Sequence, residues 1–398
     1  MQVTQIRTLL NTVATEVLGR VKQGEGQEVD QDIVKEDLSG LTQLRTEVFT
    51  ATAYDNYVRK LVDHIGKMVF VDRVYKGRAP KVVIDGWDYG SVVEKIDVDM
   101  PETAESDKWQ LQDGQNYSQD TFHRPNVTVS FFNGSTAYKV ELSITDDQVK
   151  ESFDSPEQMN RFLSTIYIKM DNKMTFNIDE LIMRTINNMT VETIYNEYKG
   201  GDLGSASHIR AVNLLKLYND TFTKTLTVSK ALYDADFLKF ASMQIGMYIN
   251  DMESMSTLFN IDRKARFTPK EYLHVVMLGE FTKATGSYLQ ADTFNKELVA
   301  LPQYEEVAYW QTLGSDRAKR GALKVKNSAG HEIDLTGKLL CVLFDRDALG
   351  VRQPEFNTPV HQNEINHFWN VSHQAKVSFF NDTSENFACF FIQDAPAA

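Results

Sequence analysis

Four residues late in the sequence carry the chemistry of a metal site. His361, Glu364, His367 and His373 offer imidazole nitrogens and a carboxylate, the donor set that holds zinc or non-haem iron. Their spacing serves this poorly. On a strand, 361, 367 and 373 share a face while Glu364 points away; on a helix, Glu364 pairs with His361 but the six-residue steps drift off any one face. Phe368 and Trp369 in the same stretch favour packing. Structural histidines are therefore expected, and a metal-dependent enzyme using His361, His367 and His373 is the competing reading. His64, beside Asp63, reads as a salt-bridged helix residue rather than a catalytic base.

Other catalytic signatures are missing. The sequence holds no His-Glu-x-x-His, Cys-x-x-Cys, Gly-x-x-x-x-Gly-Lys-Ser/Thr or Gly-x-Ser-x-Gly. Gly200-Gly201-x-x-Gly204 follows a helical pattern, the wrong context for a dinucleotide loop, and reads as a hinge. Asp97-Val98-Asp99 lacks the calcium-loop pattern. The expectation is a protein that is no enzyme and holds neither cofactor nor metal.

The elements that would position such residues read instead as scaffolding. Residues 85–120 form a polar stretch with ten acidic residues against Lys95 and Lys108. A loop that long and that charged is a liability within one compact domain and makes sense lying on something else, such as a neighbouring copy. Strands Val127–Phe132 and Ala137–Ile144 flank Asn133-Gly134, a strong hairpin signal, and a short helix follows Asp146-Asp147. Ser155 and Pro156 then open a helical pattern of roughly forty residues. Its apolar stripe runs Met159, Phe162, Leu163, Ile166, Met170, Met174, Ile178, Leu181, Ile182, Thr185, Ile186 and Met189, and Gly200-Gly201 closes it.

Amphipathic stretches precede the acidic loop, with Ile6 to Val21 and Tyr54 to Ile65 helical and Met68 to Tyr75 strand-like. Beyond the long helix, residues 203–355 alternate. A helix is expected near 235–259, with Leu238, Ala241, Ile245, Tyr248, Ile249, Met252 and Leu258 facing the core and Met243, Met247, Met252 and Met255 filling gaps. Strands are expected at Tyr272–Leu278, Glu306–Gln311, Leu339–Phe344, Ala375–Phe380 and Phe387–Ile392. Val129–Asn133 is echoed by Val377–Asn381, which suggests two strand–turn units of one sheet. The fold class is α+β.

Composition excludes several functions. With 398 residues, 42% hydrophobic, and no apolar run long enough to span a bilayer, no membrane partner is expected. Residues 1–7 lack a secretory pattern, so Cys341 and Cys389 are expected as buried free thiols. A net charge of −13 argues against a surface devoted to DNA. Between 59 and 81, however, Arg59, Lys60, Lys67, Arg73, Lys76, Arg78 and Lys81 face only Asp63 and Asp72. These runs are either solvated faces or a contact in which one copy's acidic loop (Asp85, Asp88, Glu94, Asp97, Asp99, Glu102, Glu105, Asp107) crosses the next copy's basic segment.

Three stretches resemble one family. Tyr57 to Gly66, Arg124-Pro125-Asn126-Val127 through Asp146-Asp147 and Phe153, and His367-Phe368-Trp369-Asn370 through Phe391 are similar to segments of major capsid proteins from small short-tailed, phi-29-like phages. The order of elements extends the resemblance over nearly the whole chain. Longer members carry an immunoglobulin-like domain after the closing strands, which is not found before Ala398. The resemblance implies the Hong Kong 97-type capsid fold. Residues 1–50 would be an N-terminal arm, 51–84 and 124–202 a peripheral domain with hairpin and spine helix, 85–123 an extended loop, 203–355 an axial domain and 356–398 closing strands of the peripheral domain. It implies a virion shell of pentamers and hexamers around double-stranded DNA, built in the host cytoplasm with scaffolding protein and portal. Some phages of this fold crosslink a loop lysine, but nothing marks Lys95 or Lys108 as reactive. A tail or connector component is a further alternative.

Overall fold

The computed structural model describes residues 73–84, 92–101, 103, 110–116, 120, 122–145, 156–292, 303–311, 320–327, 330–352 and 354–395. The chain divides into two units, 1–72 and 73–398. The first lies outside the described residues, with the helices expected at 6–21 and 54–65 and most of the strand expected at 68–75. So do the short helix after Asp146-Asp147, the Ser155 cap and the side chains of Met159 and Leu163.

The long helix is α1 (Pro156–Tyr198), 43 residues and about 64 Å long at 1.5 Å per residue. Its two ends are packed differently. From Arg161 to Lys169 no described side chain is buried, and Tyr167 stands 45% exposed. From Leu181 onward the core closes around almost the full circumference, taking Leu181, Ile182, Met183, Ile186, Met189, Val191 and Ile194. The expected single stripe therefore holds only for the middle of the helix. Buried Thr185, Thr190 and Thr193 are tolerated there because each hydroxyl donates to the carbonyl four residues back, at 2.9 Å. Lys199 and Gly200 adopt left-handed φ of 49° and 76° and end the helix, as the double glycine predicts.

Two sheets flank this strut. A six-stranded sheet is organised by β14 (Phe368–Asn381), which pairs along one edge with β11 (Leu349–Arg352), β12 (Glu355–Asn357) and β13 (Val360–Asn363), while β1 (Val83–Ile84) joins β11 in parallel. The other edge of β14 pairs antiparallel with β4 (Gly134–Thr145) from Phe368↔Thr145 to Phe379↔Gly134. A five-stranded sheet runs β5 (Ala211–Asn213), β15 (Phe387–Ile392), β10 (Lys338–Asp345), β6 (Leu273–Leu278) and β7 (Glu305–Val307). Every residue of β15 is buried, which explains its unbroken apolar sequence Phe-Ala-Cys-Phe-Phe-Ile. Residues 356–398 thus split, with β14 returning to the sheet of β4 and β15 entering the sheet of residues 203–355.

Helices cover the second sheet. Asn213 caps α2 (Leu214–Phe222) by accepting from the Lys216 amide at 3.2 Å, and α3 (Val228–Ala231) follows. Asp234 caps α4 (Ala235–Glu253) through the Phe237 amide at 2.8 Å, and α5 is Gly279–Asp292. Leu238, Ala241, Ile245, Ile249 and Met252 face the core as expected, whereas Leu258 lies beyond the helix and is exposed. Of the four methionines expected as gap-fillers only Met252 is buried. Met243 and Met247 fall on the opposite helix face and Met255 past its end, all about half exposed.

The Asn133-Gly134 hairpin is not formed. Strand β3 (Val127–Phe132) pairs with β2 (Val93–Val98) as a separate two-stranded ribbon, and β4 pairs with β14. The chain passes from one sheet to the other at Asn133. Gly134 is needed for close approach: a Cβ there would lie 2.6 Å from the Phe379 carbonyl. The two echoed segments accordingly lie in different sheets, touching through Phe132 and Phe380, whose ring centroids are 5.3 Å apart. A second ribbon, β8 (Leu323–Lys326) with β9 (Glu332–Leu335), packs on α1, and the strand expected to reach Gln311 stops at Val307.

Candidate assembly surface

The β2–β3 ribbon has its faces reversed relative to an ordinary surface hairpin. Cross-strand partners share a face, and the pairs Ile96↔Val129 and Val98↔Val127, with Phe131 opposite Glu94, all point outward. Ile96 is 63% and Phe131 65% exposed, and Val98, Val127 and Val129 are also exposed. The face turned to the body carries Lys95, Asp97, Thr128 and Ser130, with only Val93 and Phe132 apolar. Exposed apolar faces of this kind are uncommon on a monomer, which makes the outward face the candidate surface.

Charges fix the root of this ribbon. Lys95 donates to Asp382 and to Glu385, both at 2.6 Å. Asp97 accepts from Lys264 at 2.7 Å and from both terminal nitrogens of Arg266 at 3.1 and 2.6 Å, a bidentate pairing. Arg266 also lies 3.4 Å from Glu385, and Lys264 lies 3.8 Å from Asp99. The Arg266 hydrogen bonds outweigh burial and hold the Asp97 carboxyl down at about 2. Burial pushes Glu385 above the usual carboxylate range although Lys95 and Arg266 draw it down. Burial works against the Lys95 charge, but its two carboxylate partners raise it on balance.

The acceptors on the body are rigidly built. Asp382 takes the Ser384 amide and hydroxyl at 2.9 and 2.7 Å, and its own amide donates to the Ala348 carbonyl at 2.7 Å. Arg266 is held by a bridge to Ser256. Of the acidic residues expected to reach a neighbour, Asp97 is thus committed within its own chain and Asp99 sits near Lys264. Glu94 is exposed, and Asp85, Asp88, Glu102, Glu105 and Asp107 lie outside the described residues, as does Lys108.

The basic segment is strapped along α1. Asn172 on α1 accepts from the Tyr75 amide and donates to the Arg73 carbonyl, both at 2.7 Å. Asp179 accepts from the Tyr75 hydroxyl at 2.7 Å and the Arg78 amide at 2.8 Å. Burial and the Asp179 carboxylate push the Tyr75 phenol up to about 12. Tyr75 and the backbone point to the helix, so the side chains of Arg73, Lys76, Arg78 and Lys81 stand exposed. Arg59, Lys60, Lys67 and His64 lie outside the described residues.

The histidines are separated. His361 is exposed on β13, and His367 sits on the exposed turn into β14 at a φ of 48°. His373 stacks on Phe356 with ring centroids 5.4 Å apart and hydrogen-bonds through Nδ1 to the Thr358 hydroxyl at 2.8 Å. No group of three metal-ligating side chains converges among the described residues. Cys341 and Cys389 are buried free thiols on adjacent strands, and burial raises both. Among the described residues no helix is long and apolar enough to cross a membrane.

Comparison with known proteins places this geometry. The fold is similar to the capsid of Staphylococcus phage Andhra, with a TM-score of 0.53 at 8% identity over 82% of this chain and 87% of that one. It is also similar to the capsid of cyanophage P-SCSP1u, with a TM-score of 0.48 at 11% identity over 84% and 95%. No curated protein matches the sequence. The architecture is α+β of the Hong Kong 97 type, as expected. The model of one family, described as Phi29-like phage major capsid protein, matches residues 18–391. With a match of that extent, the chain belongs to the Phi29-like phage major capsid protein family and is a shell protein of a tailed bacteriophage.

Proposed function

We propose that copies of this chain form the pentamers and hexamers of a closed head, each laying its β2–β3 ribbon and the rest of loop 85–123 over the next copy. The observation that carries this is the ribbon's outward apolar face: Ile96, Val98, Val127, Val129 and Phe131 are exposed in one copy, and a head-to-tail contact repeated around a ring would cover each of them. Each contact can be weak because many are made at once. The open part of the acidic loop (Asp85, Asp88, Glu94, Glu102, Glu105, Asp107) would meet the basic segment of the neighbour (Arg59, Lys60, Lys67, Arg73, Lys76, Arg78, Lys81), setting register more than affinity. In this reading residues 1–50 are the arm, α1 the spine and the five-stranded sheet with its helices the axial domain.

The head would enclose double-stranded DNA held by proximity, since a chain of net charge −13 does not trap a genome on its inner wall. Assembly in the host cytoplasm would draw on a scaffolding protein and a portal. Deletion of Asp88–Tyr117 tests the ribbon's part: the expected product is soluble and folded by circular dichroism but forms no shells under negative-stain electron microscopy. Normal shells from that variant would overturn the assignment.

A further inference from the structure

Beyond its outward face, the ribbon has an attachment that sets how it can move. Little apolar packing holds it to the body. Two cavities border it, one of about 310 Å³ at the crossing from β3 to β4, lined by Phe131, Phe132, Gly134, Met189 and Phe379 among others. The other, of about 210 Å³, is lined by Lys95, Asp97, Thr128 and Lys264 among others. Between them Phe132 meets Phe380. A charge network on Lys95 and Asp97 joins β2 to two separate loops, 254–272 and 382–386, and Lys95 also donates to the Asp347 carbonyl at 3.4 Å.

We propose that Lys95 and Asp97, with Asp382, Glu385, Lys264 and Arg266, form an electrostatic latch that docks the β2–β3 ribbon onto the body and releases it as one hinged element while both sheets stay folded. The alternation of charge supports this. Lys95 needs two acids from the 382–386 turn, and Asp97 two-residues on needs two bases from the other loop. A ribbon slipped by one residue would turn both side chains to the outer face and lose both sets together.

Acid acts on the latch in a defined order. Glu385 faces Lys95 from the ribbon, Arg266 from one loop, Asp382 from its own turn and Asp345 from the end of β10. Lys95 and Arg266 favour the Glu385 carboxylate, but burial favours its protonated form and is the larger effect. That proton arrives above the ordinary 4.5, whereas Asp97 keeps its charge to about 2. Acid therefore neutralises Glu385 before Asp97, and the Asp97–Arg266 pair keeps its charges longest.

Hydrogen exchange on the full-length chain, free and assembled fractions read separately, tests this. In the free chain, Lys95→Met should speed exchange across 93–98 and 127–132 by about tenfold or more, with β10 and β15 unchanged. The swap of Lys95→Glu with Glu385→Lys should restore part of the protection. Unchanged ribbon exchange in Lys95→Met would overturn the latch, and equal acceleration in β10 and β15 would show a merely structural role and overturn it too. The hinge matters to shells only if the ribbon overlies a neighbour. That reading fails separately, if wild-type ribbon exchange is the same in free and assembled fractions.

Discussion

Lys95 and Asp97, two residues apart on one strand, turn opposite charges to the same surface, and each meets its complement there. These are not ordinary surface pairs, which contribute about 0–1 kcal/mol. The Asp97 side chain is 18% exposed and its carboxylate takes three charged hydrogen bonds. Its pKa lies at about 2 in the fold against an ordinary 3.8, so its contribution is fully present above 3.8 and is lost as pH falls through 2. The shift corresponds to about 2 kcal/mol. Asp97→Asn should therefore be less stable than the wild type by about that amount at neutral pH, and the gap should close on approaching pH about 2. Urea unfolding of the free chain across that range measures it, and a gap independent of pH would assign the loss to packing. The sequence displayed the charges but not the network, since the partners of Lys95 and Asp97 lie 167 to 290 residues away. The acidic loop reads from the sequence as a contact element. That part of it is spent within the chain is not legible there.

At the scale of elements, periodicity located α1, α4, β6, β10 and β15 because each shows its burial in its own spacing. It failed at Asn133-Gly134, where the dipeptide that favours a two-residue turn serves a crossing between sheets and the glycine is there to let Phe379 approach. It also misjudged α4, since methionine is compatible with core and surface and only the neighbours decide. Helix α1 shows how one element can be core at one end and exposed at the other. Leu181→Ala, at a fully buried position, should cost about 2–5 kcal/mol by the loss of contacts and the cavity left. Tyr167→Ala should change the free chain by less than about 0.5 kcal/mol. Chemical denaturation of both variants checks the contrast. A loss at Tyr167 comparable to that at Leu181 would mean that the exposed half of the helix is packed within its own chain.

Across the whole molecule, the order of strands departs most from the order of sequence. The five-stranded sheet puts β15, residues 387–392, between β5 and β10, so a strand made late occupies an interior place in the core. Its two ladders close the sheet, with Val342↔Cys389 on one side and Cys389↔Ala211 on the other. Gly204 seals the connection that follows, since a Cβ there would lie 2.0 Å from the Asp394 carbonyl, and the Asp394 carboxylate accepts from the Val228 amide at 2.9 Å. Neither β10 nor β5 can then complete its pairing until residue 392 is in place, and such long-range closure is slow. A copy that offered its ribbon before this step would expose both an apolar ribbon and an open sheet, so a latch that depends on the 382–386 turn ties docking to completion of the core. Truncation after Asn386 should give an aggregated chain without the native circular-dichroism signal, because six fully buried residues and both ladders are lost together. Truncation after Ala395 should leave fold and solubility intact. If the shorter chain folded and formed shells, β15 could not be what completes the core, and the ribbon would have to dock without waiting for it.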